Sequence, residues 1–197
     1  MKKLNLFFII LLALTAVFSC NEKKPVATEQ NEAKPAEKDT SVYGICGEAT
    51  SRAVLSLLTD GGDSLTYLLE YDTLQAEVLG GLFNDNHLAV IGFLGSEGLC
   101  ARKVINLSSL LGTWSDMARN FEIKEGGVVQ SNVKNEKSPY KSWKVFNGKL
   151  ILSADTFEIL SLGADSLIIE DNEGIYGYKR DTNVKIEKPA PTEGEKK

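Results

Sequence analysis

Histidine, proline and cysteine are scarce in this chain of 197 residues, which contains one His, five Pro and three Cys. A single histidine, His87, rules out the His-rich spacings that bind catalytic zinc and leaves one imidazole for acid–base chemistry. The sequence also lacks a Gly-x-Ser-x-Gly nucleophile elbow and a phosphate-binding glycine loop. We therefore predict a protein that is not an enzyme, with no catalytic residue, no metal ligand and no cofactor.

Carboxylates do gather in the sequence, but at predicted turns, such as Asp60 with Asp63 and Asp165 near Asp171. Such groups suit weak calcium binding, yet Asp is also a common turn residue because its side chain hydrogen-bonds the nearby backbone. We favour the turn role for all of them. For His87, at the start of an apolar strand and beside a polar turn, we likewise favour an edge or turn position over a catalytic or ligating one.

An excess of basic residues is missing as well. The chain has 22 Lys and Arg against 27 Asp and Glu, for a net charge of −5. Removal of residues 1–19 takes away two lysines and leaves 20 basic against 27 acidic residues, or −7. A mildly acidic surface argues against nucleic acid as a partner and against electrostatic docking on anionic lipid. Any attachment to a membrane then requires an anchor other than electrostatic attraction.

The first apolar run is too short to span a membrane. Lys2 and Lys3 precede an almost uninterrupted apolar stretch, residues 4–18, which has the length of a signal-peptide core. It ends in VFSC and a polar run, a pattern that resembles the lipobox of bacterial lipoproteins. The resemblance implies cleavage before Cys20 and acylation of that cysteine, and two or more acyl chains anchor a protein firmly. An ordinary secretory signal peptide in residues 1–19 is the alternative.

The lipobox resemblance implies a cell-envelope protein that is lipid-anchored to the outer membrane, on either its periplasmic or its surface face. Residues 21–41 contain no aromatic residue and are rich in Lys, Glu, Pro and Ala. Such a composition cannot bury a core. We predict that residues 20–41 are a lipidated cysteine followed by a flexible tether, and that the similar residues 183–197 are a disordered tail.

Two cysteines, Cys46 and Cys100, remain for the folded part of the chain. An even pair in an oxidising compartment favours a disulfide. That bond would close a loop of about 55 residues and stabilise the fold by roughly 4 kcal/mol through the unfolded state. The spacing is unlike a Cys-x-x-Cys redox or zinc pattern. A pair of buried free thiols is the alternative.

Apolar residues recur with a period near two in the rest of the chain, and turn residues recur every few positions. In residues 42–105 this pattern predicts five strands and one short helix, near residues 72–79. In residues 106–182 it predicts eight strands joined by tight turns, of which Asn147-Gly148 is the strongest hairpin signal. The chain is thus predicted to be all-β, with two small antiparallel barrels.

Motifs at both ends of the second strand series resemble those of lipocalin-like domains. SSLLGTWS opens the series at residues 108–115, and Gly-Tyr-Lys-Arg closes it at residues 177–180. The resemblance implies that Gly112 allows a close turn and that Trp114 plugs the closed end of the barrel. It also implies that Arg180, or the lysine before it, stacks on the indole. The first strand series resembles an OB-fold, a small barrel that accompanies lipocalin-like domains in Gram-negative lipoproteins.

The resemblance implies a binding protein. Tyr140, Trp143 and Phe146 follow or flank the longest polar connection of the second barrel, and loops at a barrel mouth are common binding sites. We predict that they contact a small apolar or amphipathic ligand, with core and rim packing as the alternative for Tyr140 and Trp143. A connected pocket behind these residues would favour ligand binding, whereas a solid interior would oppose it. The alternative function is a structural component that docks another envelope protein through exposed β edges.

Overall fold

The computed structural model describes residues 37–182 of the chain. The predicted signal peptide 1–19, the lipidation site Cys20, most of the tether and the tail 183–197 therefore lie outside the described residues. The described residues from Lys38 onward belong to one compact unit. Within the part that is described, no helix is long and apolar enough to cross a membrane.

Eight strands make up the first half of this unit. Their bounds are β1 Val42–Cys46, β2 Val54–Thr59, β3 Ser64–Leu68, β4 Glu70–Tyr71, β5 Leu74–Gln75, β6 Glu77–Leu79, β7 His87–Gly95 and β8 Gly98–Asn106. Strands β3, β2, β1, β7 and β8 pair in that order, antiparallel throughout, and a parallel contact between β8 and β3 closes a five-stranded barrel. Strand β6 adds in parallel to β8, and β4 pairs with β5 in a separate hairpin.

The short helix predicted near residues 72–79 is wrong. Asp72 has a positive φ of 52° and lies in the turn between β4 and β5, where Tyr71 pairs with Leu74. The segment then continues as β6, whose backbone pairs with β8. Isolated helices of this length are marginal. The segment therefore follows the sheet edge that tertiary structure offers, and not its own weak helical pattern.

The second half begins with one helical turn, α1 Leu107–Leu110, and a 3-10 turn follows at Glu125–Gly127. The strands are β9 Gly112–Ser115, β10 Asn120–Lys124, β11 Val128–Ser131, β12 Trp143–Phe146, β13 Lys149–Leu152, β14 Asp155–Leu162, β15 Ser166–Glu170 and β16 Ile175–Arg180. They form one sheet in which β16 returns to pair with β9. Between β11 and β12 there is one isolated bridge, Val128 to Ser142, so the barrel is nearly closed. The predicted all-β fold with two barrels is confirmed.

Side chains fill the interior of the eight-stranded barrel. Trp114, Phe121, Phe157 and Tyr178 are each at most 2% exposed. The Phe121 ring packs edge-on against Tyr178 and Tyr140, with centroids 5.1 and 5.5 Å away. Tyr140 in turn lies edge-on to Phe157, at 6.2 Å. Such edge-to-face aromatic pairs stabilise a core beyond their buried area. The barrel interior is thus a packed core.

The five-stranded barrel contains both remaining cysteines, which are buried free thiols. The Cys46 amide bonds to the carbonyl of Asn86, just before β7, whereas Cys100 pairs with Phe93 near the far end of that strand. Those partners are roughly 20 Å apart along β7, at about 3.3 Å per residue. A disulfide needs its Cα atoms within about 7 Å. The predicted bond between Cys46 and Cys100 is therefore wrong, and the alternative of free thiols holds.

The seam between the barrels combines apolar and polar contacts. Leu79, Ala89 and Ile105 of the first half belong to the same buried apolar cluster as the core of the second barrel. Lys103 of β8 donates to Glu158 of β14 in the second barrel and lies 3.1 Å from Glu77 of β6. Partial burial lowers the pKa of Lys103, but its hydrogen bonds to Glu158 and Glu77 outweigh that effect, so the pKa lies above its ordinary value. The Gly80 amide also donates to the Leu162 carbonyl at 3.0 Å. These contacts hold one wall of each barrel against the other.

Candidate functional site at the groove between the barrels

The three residues predicted to contact a ligand do not lie together. Tyr140 is 7% exposed and packs in the barrel core, with the Arg119 guanidinium 4.4 Å from its ring centroid. Burial raises the pKa of Tyr140. Trp143 is partly buried against the core of the eight-stranded barrel, and together with Phe146, at the other end of β12, it also lines a groove between the barrels. The structure therefore brings two of the three residues to one surface and assigns Tyr140 to the core.

The groove that contains Trp143 runs between the two barrels and has a volume of about 560 Å³. Tyr43 and His87 of the five-stranded barrel line one side of it, and Trp143 and Phe146 line the other. A second lobe of about 230 Å³ shares His87, Trp143 and Leu107 with the first. The two lobes are therefore continuous, and they meet where His87 faces Trp143.

Trp143 offers the groove an apolar surface. Its indole N–H donates to the carbonyl of Lys124 at 2.7 Å, so the polar atom of this partly buried ring is already satisfied. Gly126 and Gly127, with φ of 73° and 77°, form part of the groove wall. A Cβ at Gly127 would come within 3.2 Å of the Trp143 carbonyl oxygen. Glycine thus lets this turn lie close to β12 while leaving the groove free of side chains there.

His87 and Asp60 form a polar pair on the same groove. The Nε2 atom of His87 lies 3.0 Å from both carboxylate oxygens of Asp60, and the side chains are 39% and 55% exposed. Strand β1 lies between β2 and β7, with Ile45 paired to Leu58 on one side and to His87 on the other. This order places Asp60, just after β2, beside His87. Hydrogen-bonding capacity therefore remains open to solvent on this rim.

No local sequence pattern indicates the pairing of His87 with Asp60, because the two residues are 27 positions apart. Each was explicable alone as a turn residue. The strand order β2-β1-β7 brings them together, and that order follows from the closure of the whole barrel. Among residues 37–182, no three His, Cys, Asp or Glu side chains converge to hold a metal ion. The pair is equipped for hydrogen bonding to a ligand.

A partly buried hydrogen-bond cluster lines one end of the groove. The Tyr43 hydroxyl lies 2.6 Å from Asp39 Oδ2 and 2.8 Å from the Val145 carbonyl oxygen. The backbone N–H of Asn147 donates to Asp39 Oδ1 at 3.1 Å. Partial burial raises the pKa of Asp39, but hydrogen bonds from Tyr43, Ser41 and Asn147 outweigh it and lower the pKa to about 2. Burial and the bond to Asp39 raise the pKa of Tyr43 to about 12. Asp39 thus stays ionised and clamps the segment before β1 to the turn after β12.

The motif residues close one end of the eight-stranded barrel. Trp114 is fully buried and donates its indole N–H to the Leu110 carbonyl at 2.8 Å. The Arg180 guanidinium lies 4.1 Å from the centre of the indole and donates to the carbonyls of Leu111 and Ser109, each at 2.6 Å. A Cβ on Gly112, whose φ is 126°, would lie 2.4 Å from Arg180 Nη1. Arg180, and not Lys179, therefore covers the plugged end.

Residues 107–181 match a family described as lipocalin-like. The match begins at α1 and ends one residue after β16, so it covers the whole eight-stranded barrel. The predicted lipocalin-like domain is confirmed in these residues. Domains of this family are generally non-enzymatic binding barrels. Neither a curated protein nor a solved structure matches the chain.

Proposed function

We propose that this protein is a non-enzymatic binding protein that holds a small amphipathic ligand in the groove between its barrels. The observation that carries the proposal is a groove of about 560 Å³ beside a barrel whose interior is filled by aromatic side chains. Ligand sites of roughly 300–1,000 Å³ occur preferentially at domain interfaces. The lipocalin-like match supports ligand binding as the activity. The proposal moves the site from the barrel mouth to the seam between the barrels.

The proposal includes an envelope location and an OB-like first domain. The VFSC motif and the signal-like residues before it support acylation of Cys20 and an outer-membrane anchor. The closed five-stranded barrel, with β8 returning in parallel to β3, supports an OB-like module. Mass spectrometry of membrane-extracted protein is expected to find acyl chains on an N-terminal Cys20. An unmodified mature terminus elsewhere would contradict the location.

A second candidate function is docking of another envelope protein through exposed β edges. It is supported by the gap between β11 and β12, where one isolated bridge joins the two strands and leaves backbone groups at both edges. A partner strand that fills this gap would be recognised mainly through main-chain hydrogen bonds. Substitution of groove side chains is therefore expected to leave such docking unchanged, which separates it from ligand binding.

Titration with the neutral amphipathic fluorophore N-phenyl-1-naphthylamine tests the proposed groove. We expect saturable binding to the wild-type protein and an affinity about tenfold lower for Trp143→Ala, because a central aromatic contact typically contributes more than about 1 kcal/mol. Leu94→Ser is the matched control, since it removes an apolar side chain that is 79% exposed and does not line the groove. Equal affinity for all three proteins would overturn the proposal.

A further inference from the structure

The charges on the groove have both signs. Asp39, Asp60 and Glu125 contribute carboxylates, whereas Lys144 contributes an ammonium group 5.2 Å from the ring of Phe146. An anionic ligand meets the carboxylates, and a cationic ligand meets Lys144, which already covers one aromatic ring. Like charges at short range oppose binding. The lining therefore disfavours an anionic ligand, and it offers hydrogen-bonding groups of both signs to a ligand without net charge.

The centre of the groove combines a flat apolar surface with exposed hydrogen-bonding groups. Both lobes include Trp143, whose N–H is satisfied by Lys124, and both include His87. A ligand at this point contacts ring carbon on one side and the pair of His87 with Asp60 on the other. A small ligand with one apolar face and one polar edge fits this arrangement.

Asp60 has spare acceptor capacity for neutral donors. A carboxylate offers about four lone-pair sites, and His87 Nε2 approaches both oxygens of Asp60 from one side at 3.0 Å. The carboxylate remains 55% exposed. Hydroxyl groups are both donors and acceptors, so neighbouring hydroxyls on one ligand can donate to Asp60 and accept from Lys144. A neutral ligand with several hydroxyl groups can therefore hydrogen-bond both to the carboxylate and to the ammonium group.

We propose that the ligand of the groove is a neutral saccharide. One pyranose ring stacks its C–H face on Trp143 and donates hydroxyl hydrogen bonds to Asp60, and the second lobe receives the next unit of the chain. The inference rests on the proposed function, because it names the class of ligand for the same groove. It explains why the aromatic wall, the mixed charges and the exposed pair of His87 with Asp60 occur at one place.

Isothermal titration with neutral and charged sugars tests this inference. The probes are maltotriose, cellotriose and N,N′-diacetylchitobiose, with glucuronate and glucosamine as charged comparisons. At least one neutral probe is expected to bind at or below about 1 mM, and the charged ones more weakly. Trp143→Ala and Asp60→Asn are each expected to lower the affinity about tenfold, whereas Trp143→Phe keeps an aromatic face and retains most of it. Leu94→Ser is expected to bind like wild type.

The outcomes distinguish failure of the saccharide inference from failure of the proposal that the groove binds a ligand. The saccharide inference is overturned if no neutral sugar in the panel shows binding at concentrations up to about 10 mM. It is also overturned if the binding of a neutral sugar does not depend on Trp143. Trp143-dependent binding of N-phenyl-1-naphthylamine in that same case leaves the proposed function standing. If neither probe class binds, both proposals fail. Cooperative urea unfolding of Trp143→Ala, Trp143→Phe and Asp60→Asn is the check that each variant is folded.

Discussion

The two barrels fill their interiors with different side chains. The five-stranded barrel packs mainly aliphatic residues, such as Leu55 and Leu57, and Tyr67 is the aromatic member of its core cluster. The eight-stranded barrel buries a set of rings, with Trp114 and Phe121 among those at its centre. A barrel with more strands is wider, so larger side chains are needed to fill it. Both barrels are packed cores, and the groove proposed to hold a ligand lies where their outer walls meet.

The largest expected effect comes from removal of the plug of the wider barrel. Trp114→Ala is expected to lower the free energy of unfolding by about 4 kcal/mol, because it leaves a large cavity at a fully buried site. Leu57→Ala in the narrower barrel is expected to cost about 3 kcal/mol. Urea unfolding followed by circular dichroism measures both losses. A larger loss for the Leu57 variant would contradict the difference drawn between the barrels.

A smaller effect is expected at the cover of the same plug. Arg180→Lys keeps the positive charge but removes the planar fork that donates to Leu111 and Ser109 while stacking on Trp114. We expect a loss of about 2 kcal/mol in urea unfolding. Lys179→Ala, on the exposed neighbour, serves as the control and is expected to change the stability little. Equal effects at the two positions would show that Arg180 does not close the barrel.

The clamp at the end of the groove makes stability depend on pH. The pKa of Asp39 is lowered to about 2 from the ordinary value of 3.8, so its stabilising contribution is present above the higher value and is lost as the pH falls through the lower one. Asp39→Asn is expected to cost about 1 kcal/mol at pH 7, a modest figure because the group is largely solvated. The difference from wild type is expected to shrink as the pH falls toward 2 and to vanish below it.

Unfolding curves measured at several pH values test this dependence, with Asp63→Asn as the matched control. Asp63 is an exposed carboxylate in the turn after β2. Its substitution is expected to shift the stability by little at any pH. A constant difference between wild type and Asp39→Asn from pH 7 to pH 2 would mean that the charge of Asp39 does not stabilise the clamp.

The smallest effect is expected for the two thiols of the narrower barrel. Cys46 and Cys100 are free, so addition of a reductant is expected to leave the free energy of unfolding unchanged. Alkylation of the unfolded protein without reductant is expected to label both residues. A disulfide would instead contribute roughly 4 kcal/mol. A large loss of stability on reduction, together with no alkylation of either cysteine before reduction, would contradict the arrangement of β1 and β8.

Local patterns in the sequence predict most of the strands. Asn147-Gly148 predicts the hairpin between β12 and β13 because its residues adopt the positive φ values that such a turn requires. Trp114 and Arg180 indicate the closed end of the second barrel because their neighbours form a recognisable motif. These signals lie within a few residues of the structure that they specify. These local signals can therefore be recognised without knowledge of the tertiary fold.

Features that depend on barrel closure are beyond such patterns. Tyr140 lies in an irregular connection, where no apolar alternation indicates which way a side chain points. The sequence therefore does not predict that Tyr140 lies in the core while Trp143 lines the groove. The pair of His87 with Asp60 depends on β1 lying between β2 and β7. The distance between Cys46 and Cys100 depends on the register along β7. In each case long-range pairing decides the outcome.

We expect a ligand to occupy the groove between the barrels and to leave both barrel interiors untouched. The chain contains two tryptophans, and their indole N–H groups bond to different carbonyls, Trp143 to Lys124 and Trp114 to Leu110. A proton–nitrogen NMR spectrum of the ¹⁵N-labelled protein therefore reports each region through one indole signal. On titration with N-phenyl-1-naphthylamine, the signal of Trp143 is expected to shift while that of Trp114 stays in place. A shift of the Trp114 signal with no change at Trp143 would contradict the account.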